Sequence, residues 1–386
     1  MGAKSGALAS SAVCQQPVVQ GPVEVSVIPR WSGVDAGHII EDGGYPPTVV
    51  AAPGRRVVAS GDFHGDMRAA RRALQLAGVL SQDQQDRWTG GSSVFVQVGD
   101  VLDRGDDEIA IMSLLAHLSR QASAAGGALY QVCGNHETMN VYGDFRYVTE
   151  EGFKEGDWFD RWARENYGGD HMAAFQSWYK EAPLAKQQLK RSPSASWNPL
   201  LANRPRRVRQ ELFEPGGPLA RVMAGYSAVL QVNDSLFAHG GVLPHHVDYG
   251  LERLNREVSR WMLGHTDRVT GEPQEQPFLA TRGYNSVMWS RLYSREEYDS
   301  GAERDQVCMT LSKALRMVPG AKRLIVGHTP QETGANSECN GRIWRIDVGM
   351  SSGILQAAPQ VLEISGSDVR VLSEETGRDL WLASYI

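Results

Sequence analysis

Short apolar runs recur along the chain, each closed by glycine and a polar residue, with amphipathic stretches between several of them. "RRVVAS" (55–60) leads into "GDFHGD", "SSVFVQV" (92–98) into "GDVLDRGD", and "GALYQVC" (127–133) into "GNHETMN". Further on, "DSLFA" (234–238) leads into "HGGVLPHH", "KRLIV" (322–326) into "GHTPQE", and "RIWRI" (342–346) into "DVGMSSG". Such runs predict buried strands, and "QVLEISGSDVRVLS" (360–373) reads as a hairpin. Helical spacing of apolar positions predicts helices over 66–78, 106–124, 248–264 and 302–317. The stretch 150–225 is polar and aromatic and contains no strand-like run. It reads as a helical insertion between two core strands, forming a cap or side wall. Residues 1–50, rich in Gly, Pro and Val without a period, read as a tail and an extended arm.

Strands alternating with helices imply an α/β fold with a parallel or mixed sheet and helices outside. Ligands of such folds gather beyond the carboxyl ends of the strands. Five of these ends present Asp, His or Asn beside Gly, namely Asp62 with His64, Asp100, Asn135, His239 and His328. Asp62 and His64 sit two apart, which in an extended segment turns both to one side. A lone Asp after a strand is a turn or helix-capping residue; five such ends in succession point to a shared site. Mixed oxygen and nitrogen ligands without thiolate suit Mn, Fe or Zn better than Ca or a cysteine-bound zinc.

Composition narrows this picture little. The 386 residues, 41% hydrophobic and 22% charged, are ordinary for a globular chain of one large domain or two smaller ones. A net charge of −6 and a pI near 6.0 give no support to a nucleic-acid or membrane-surface partner. Cys14, Cys133, Cys308 and Cys339 show no CxxC spacing, so neither a zinc knuckle nor a disulfide framework is expected. A reducing compartment is the default. Cys308 and Cys339 remain candidates for one pair, and Cys133 reads as core. No apolar run reaches the ~20 residues of a membrane span. The first 23 residues lack a secretory core and the arginines of a transit peptide. "MGAKSG" departs from a myristoylation signal at Gly6. The cytoplasm is the expected location, with chloroplast or mitochondrion as alternatives.

Together "GDFHG", "GDVLDRG", "GNHE", "HGG" and "GHT" resemble the motifs of the calcineurin-like metallophosphoesterases, in their phosphoprotein-phosphatase form, from about residue 55 to 375. "GNHETMNVYGDFRYVT", "LFAHGGVLPHHVDYGLERLN" and "NSVMWSRLYS" narrow the resemblance to the Shewanella-like protein phosphatases, a bacterial-type branch also found in plants, algae and some protists. The "SAPNYC" stretch of the animal-type Ser/Thr phosphatases is absent, and "DVGMSSG" stands in the comparable place. The resemblance implies a two-sheet β-sandwich flanked by helices, one domain over 51–386, with the site at strand carboxyl ends. It implies Asp62, His64 and Asp100 at a first metal and Asp100, Asn135, His239 and His328 at a second. It further implies His136 as general acid held by Asp103, with Arg104 and Arg291 on the phosphate. Arg282 competes with Arg291 for that place, and Glu137 supports the loop. Where other metallophosphoesterases have a second His in "GHxH", this chain has Pro330. His245 and His246 read as solvated loop residues.

The chemistry so implied is one-step hydrolysis of a phosphate monoester on phosphoproteins, at Ser/Thr or Tyr. Two cations, manganese first with iron or zinc as alternatives, would bridge an attacking hydroxide. The substrate is a phosphoprotein or phosphopeptide, and the chain is expected to act as a monomer without nucleic-acid or membrane partners. Tyr142, Phe145, Tyr147, Phe153, Trp158, Phe159, Trp162 and Tyr167 either wall a deep phosphotyrosine pocket or form the core of the insertion. Two rivals stand beside this reading, a dinucleoside polyphosphate hydrolase and an inactive scaffold. A nucleotide switch lacks both the P-loop and the GxGxxG pattern.

Overall fold

A computed structural model describes residues 44–83, 85–191, 203–266 and 270–374. In chain order the strands are β1 (Val49–Val50), β2 (Val57–Ser60), β3 (Val94–Gln97), β4 (Ala128–Gln131), β5 (Val229–Val232) and β6 (Ser235–Ala238). They continue as β7 (Arg323–Val326), β8 (Asn336–Glu338), β9 (Ile343–Arg345), β10 (Gln360–Ser365) and β11 (Asp368–Ser373). Two mixed sheets form, in the orders β1-β5-β6-β7-β9-β8 and β11-β10-β2-β3-β4. Within them β2, β3 and β4 run parallel, as do β6, β7 and β9.

The residue types explain this arrangement. Strands covered on both faces read as continuous apolar runs rather than alternating ones. Successive side chains still point to opposite faces. Val57, Ala59, Val94, Val96, Phe237 and Ile325 pack between the sheets. Val58, Phe95, Leu236 and Leu324 belong to the second core, which the helices share. The result is the two-sheet sandwich with helices outside that the motifs implied.

The foreseen helices run Met67–Leu76, Glu108–Ala124, Leu251–Met262 and Gly301–Met317. The first starts at Asp66, whose carboxylate accepts the Ala69 N–H at 2.9 Å. Asp107 offers no such cap to the helix Glu108–Ala124. Glu155, on the later helix Glu150–Tyr167, accepts the N–H groups of Ile109 and Ala110 instead, each at 3.0 Å. A helix start beside the site is thus capped from a distant segment. Between β4 and β5 the described residues form no strand and include the helices Glu150–Tyr167, His171–Phe175, Trp178–Arg191, Arg204–Phe213 and Pro218–Met223.

Two features lay outside the sequence reading, and one candidate pairing is formed. β5 pairs with β6 across Asn233 and Asp234, a two-residue hairpin turn that closes "VLQVNDSLFA". β8 is a polar edge strand with no apolar pattern to betray it. Cys308 and Cys339 are joined in a disulfide, with Cα atoms 5.4 Å apart. Of the tail and arm, most lies outside the described residues. Its end, β1, pairs in parallel with β5.

Candidate active site

Beyond Ser60 the chain turns sharply. His64 has φ +42°, so the extended geometry expected for Asp62 and His64 does not hold; a left-handed turn brings them to one side instead. The N–H groups of Phe63 and His64 both donate to the Asp100 carbonyl at 3.0 Å, which pins this turn to the loop after β3. Among the described residues, five of the ten non-glycine positions with positive φ are His64, Asp100, Asp103, Arg104 and His328. Each such residue costs about 1–2 kcal/mol, and all five belong to the predicted site.

Glu137 holds these loops in register. It is buried, and its carboxylate accepts four backbone N–H groups, from Gly134 (2.8 Å), Asp100 (2.9 Å), Val101 (2.9 Å) and Leu102 (3.2 Å). It thereby ties the "GNHE" turn to the "GDVLDRG" loop, the supporting role expected of it. Gly134 has no room for a side chain, because a Cβ there would lie 2.1 Å from the Asp100 carboxylate. Asn135 and His136 open a short helix, Asn135–Tyr142, rather than a loop.

The predicted ligands converge. His239 Nε2 lies 3.0 Å from Asp100 Oδ2, 3.0 Å from Asn135 Oδ1 and 3.2 Å from His328 Nδ1. His239 Nδ1 is 2.8 Å from the Val98 carbonyl and His64 Nδ1 is 2.9 Å from the Leu102 carbonyl, so each ring presents Nε2 to the cluster. His64 Nε2 stands 3.9 Å from both Asp62 Oδ2 and Asp100 Oδ2. Two groups of potential ligand atoms result, His64–Asp100–His136 and Asp100–His239–His328. The first includes His136 where the sequence reading placed Asp62, whose oxygens lie 3.2 and 3.3 Å from the His328 N–H.

This donor set fits cations. Burial and the neighbouring Asp347 and Asp100 carboxylates push Asp62 well above the usual carboxylate range. Asp347 is raised to about 6, chiefly by burial. Burial and the neighbouring His136 lower His64 to about 4, and burial with His239 holds His328 well below the ordinary histidine value. Neutral imidazoles are the ligand form. Crowded carboxylates are what a bound ion relieves. His328 Nε2 is buried without a partner.

His136 is arranged differently from the other imidazoles. Its Nδ1 is 2.6 Å from Asp103 Oδ2, while Nε2 faces the pocket, 3.8 Å from Asp100 Oδ2. Burial opposes its charge, but the Asp100 and Asp103 carboxylates outweigh that and its pKa is raised. Arg104 lies beside it with its guanidinium 4.6 Å from the centre of the Tyr147 ring and its Nε unpartnered. Arg104 makes no ion pair with the neighbouring Asp106 or Asp107; Asp106 accepts from Thr149 and Asp107 pairs with Lys186. Arg291 lines the same pocket and donates to Thr329 Oγ1 at 3.0 Å. Its competitor Arg282 does not line the pocket and lies over the Tyr142 ring.

The calcineurin-like phosphoesterase profile matches residues 55–332. Shewanella-like protein phosphatase 2 of Arabidopsis thaliana is 40% identical over 327 residues, 82% of this chain and 77% of that protein. The chain belongs to the calcineurin-like phosphoesterases, in their Shewanella-like branch. Shewanella-like protein phosphatase 1 of Plasmodium berghei is 25% identical, over 82% of this chain and 74% of its own. The crystal structure of the cold-active protein-tyrosine phosphatase of a Shewanella species shares the fold. It has a TM-score of 0.57 and 18% identity, and the match covers 92% of this chain and 89% of that one.

Calcineurin-like phosphoesterases use a dimetal centre, and the His and Asp groups that could hold one are present here. The sequence reading missed other parts of the pocket. Asp347, Trp289 and Ile354 line it. Asp347 had a visible signal, since "RIWRI" runs into Asp-Val-Gly just as the other strands run into their polar ends. Of the eight aromatic residues over 142–167 only Tyr147 lines the pocket; Phe145, Trp158 and Phe159 are core. His246 is buried rather than solvated, and its Nδ1 accepts the Leu243 N–H at 3.0 Å. Among the described residues no helix is long and apolar enough to cross a membrane.

Proposed function

We propose that this metal-dependent protein phosphatase hydrolyses phosphate monoesters on phosphoproteins in one step, without a phosphoenzyme. The observation that carries the proposal is one pocket lined by His64, Asp100, Asn135, His328, His136, Arg104 and Arg291, with His239 and Asp62 packed against these ligands and Asp103 behind His136. Asp62, His64 and Asp100 would hold one ion, and Asp100, Asn135, His239 and His328 the other. When bound, the ions supply a water of lowered pKa and positive charge for the phosphoryl oxygens. An all-oxygen-and-nitrogen donor set supports manganese first, then iron or zinc.

Arg104 and Arg291 bind the equatorial oxygens and orient the phosphoryl group. Among the described residues no carboxylate pairs with the Arg104 guanidinium, whose Nε is buried without a partner, so it meets the phosphate without first breaking an ion pair. His136 donates its Nε2 proton to the departing oxygen, and Asp103 keeps the ring oriented through Nδ1. Among the described residues no Ser or Cys lines the pocket to serve as a nucleophile. Tyr147 and Trp289 supply aromatic walls, which support an aryl phosphate such as phosphotyrosine beside alkyl phosphates.

The test is turnover of matched phosphotyrosine, phosphoserine and phosphothreonine peptides with Mn²⁺, for the wild type and Asp100→Asn. Turnover of at least one peptide, reduced by about 10²-fold or more in the variant, is expected. Preference for a dinucleoside polyphosphate over all three peptides, or full activity of Asp100→Asn, would overturn the proposal.

A further inference from the structure

Arg209 is the fully buried cation of the helix Arg204–Phe213, far along the chain from the strand-end motifs. Its Nε donates to Asn140 Oδ1 at 2.8 Å. Its Nη1 donates to Glu108 Oε2 and, at 3.4 Å, to the Gly152 carbonyl, while Nη2 reaches Asp103 Oδ1 at 3.5 Å. Asn140 in turn donates through Nδ2 to Asp103 Oδ1 at 2.9 Å and to the His136 carbonyl at 2.9 Å. The other Asp103 oxygen, Oδ2, meets His136 Nδ1 at 2.6 Å.

The directions of these bonds are forced. An arginine only donates, so Asn140 must turn its oxygen to Arg209 and its NH₂ to Asp103. Asp103 Oδ1 is then occupied, and Oδ2 alone is left for His136 Nδ1–H. Nδ1–H is thereby fixed toward Asp103, so Nε2, the atom that reaches the pocket, is the one that takes up and gives the mobile proton, and the Asp103 carboxylate favours the doubly protonated ring that carries it. Charge is balanced as well, because the buried Asp103 and Glu108 face Arg209 and His136. Phe213, Phe145 and Phe153 surround the guanidinium at 4.8–5.8 Å and keep water from substituting for it.

We propose that Arg209 is a positioning residue for the acid, acting through Asn140 and Asp103. The inserted helical block is then part of the catalytic apparatus rather than only a side wall. The proposal rests on His136 being the proton donor to the leaving group.

The test compares phenyl phosphate, whose leaving group needs a proton, with 2,4-dinitrophenyl phosphate, whose leaving group does not. The full chain is used with Mn²⁺ as wild type, His136→Asn, Arg209→Lys and Asn140→Ala. Arg209→Lys keeps the charge but not the fork of donors. Asn140→Ala leaves the Arg209–Glu108 pair in place and removes the 2.9 Å bridge to Asp103, leaving only the 3.5 Å Nη2 contact, so it keeps the test valid if the first variant fails to fold. We expect kcat on phenyl phosphate to fall by about 10–100-fold in both variants, and by less than about 3-fold on the activated ester. A second readout needs no metal: the downfield His136 Nδ1–H proton resonance of the metal-free protein should be lost or moved in Asn140→Ala. Equal losses on the two esters, or an unchanged resonance, would overturn the proposal. If His136→Asn itself fails to discriminate between the esters, the acid assignment falls, and the role of Arg209 with it.

Discussion

Replacing Glu137 by Gln is the sharpest probe of how the site is held. In the folded protein Oε2 accepts from Gly134 (2.8 Å) and Asp100 (2.9 Å), and Oε1 from Val101 (2.9 Å) and Leu102 (3.2 Å). Glutamine keeps the shape but offers one oxygen and one NH₂. Whichever way the amide turns, two buried N–H groups confront a donor. Each loss of an acceptor costs about 1–3 kcal/mol, so the substitution should cost about 2–6 kcal/mol. With the per-residue unfolding entropy scaled to a chain of this size, that is a fall in Tm of roughly 3–10 °C. The assay is thermal unfolding of metal-free protein, which removes any contribution of bound ions, followed by metal content after loading with Mn²⁺. Content should fall too, because either orientation releases N–H bonds of the loop 100–102, which carries Asp100, the proposed shared ligand. Glu252→Gln, at an exposed helix start, is the control and should shift stability by less than about 0.5 kcal/mol. A Glu137→Gln protein that melts within about 1 °C of wild type and keeps its full metal content would refute the reasoning.

Three further outcomes are expected. His136 has a raised pKa, so its protonated form persists above the ordinary value near 6.5 and is lost only as pH rises through the folded-state value. Asp103→Asn removes one of the raising carboxylates. The alkaline limb of kcat should move to lower pH, and an unmoved limb over pH 5.5–9 would contradict this. EDTA should abolish activity and Mn²⁺ restore it, while iodoacetamide should spare it, because among the described residues no Cys lines the pocket, Cys133 is buried with its thiol pushed well up and Cys308 and Cys339 are bonded. Full activity after chelation and removal of the chelator would sink the metal requirement. Arg104→Ala should lower kcat/KM by about 10²-fold or more at nearly unchanged Tm, since among the described residues this guanidinium makes no ion pair. A large fall in Tm would show a structural role instead.

Local pattern determined much of this protein. Four-residue apolar runs closed by glycine mark strands because a strand covered on both faces has to be apolar along its length, and its polar end has to leave the core. Asp62, Asp100, Asn135, His239 and His328 could therefore be read from their neighbours in the chain. The motifs around His136 and Arg104 lay within the same short stretches. What the chain does between such stretches was not legible. Asp103 and Arg209 stand 106 positions apart, Glu155 caps a helix 46 positions before it, and Cys339 joins Cys308 across 31. Periodicity tells which side chains are buried; it does not tell which partner a buried charge will meet. That choice is made by packing, because a buried carboxylate, guanidinium or N–H must be matched within about 3 Å once water is gone. The proposed ligands lie in legible motifs, whereas the bonds that orient His136, hold Asp100 and brace the helical block to the site exist only in the folded chain.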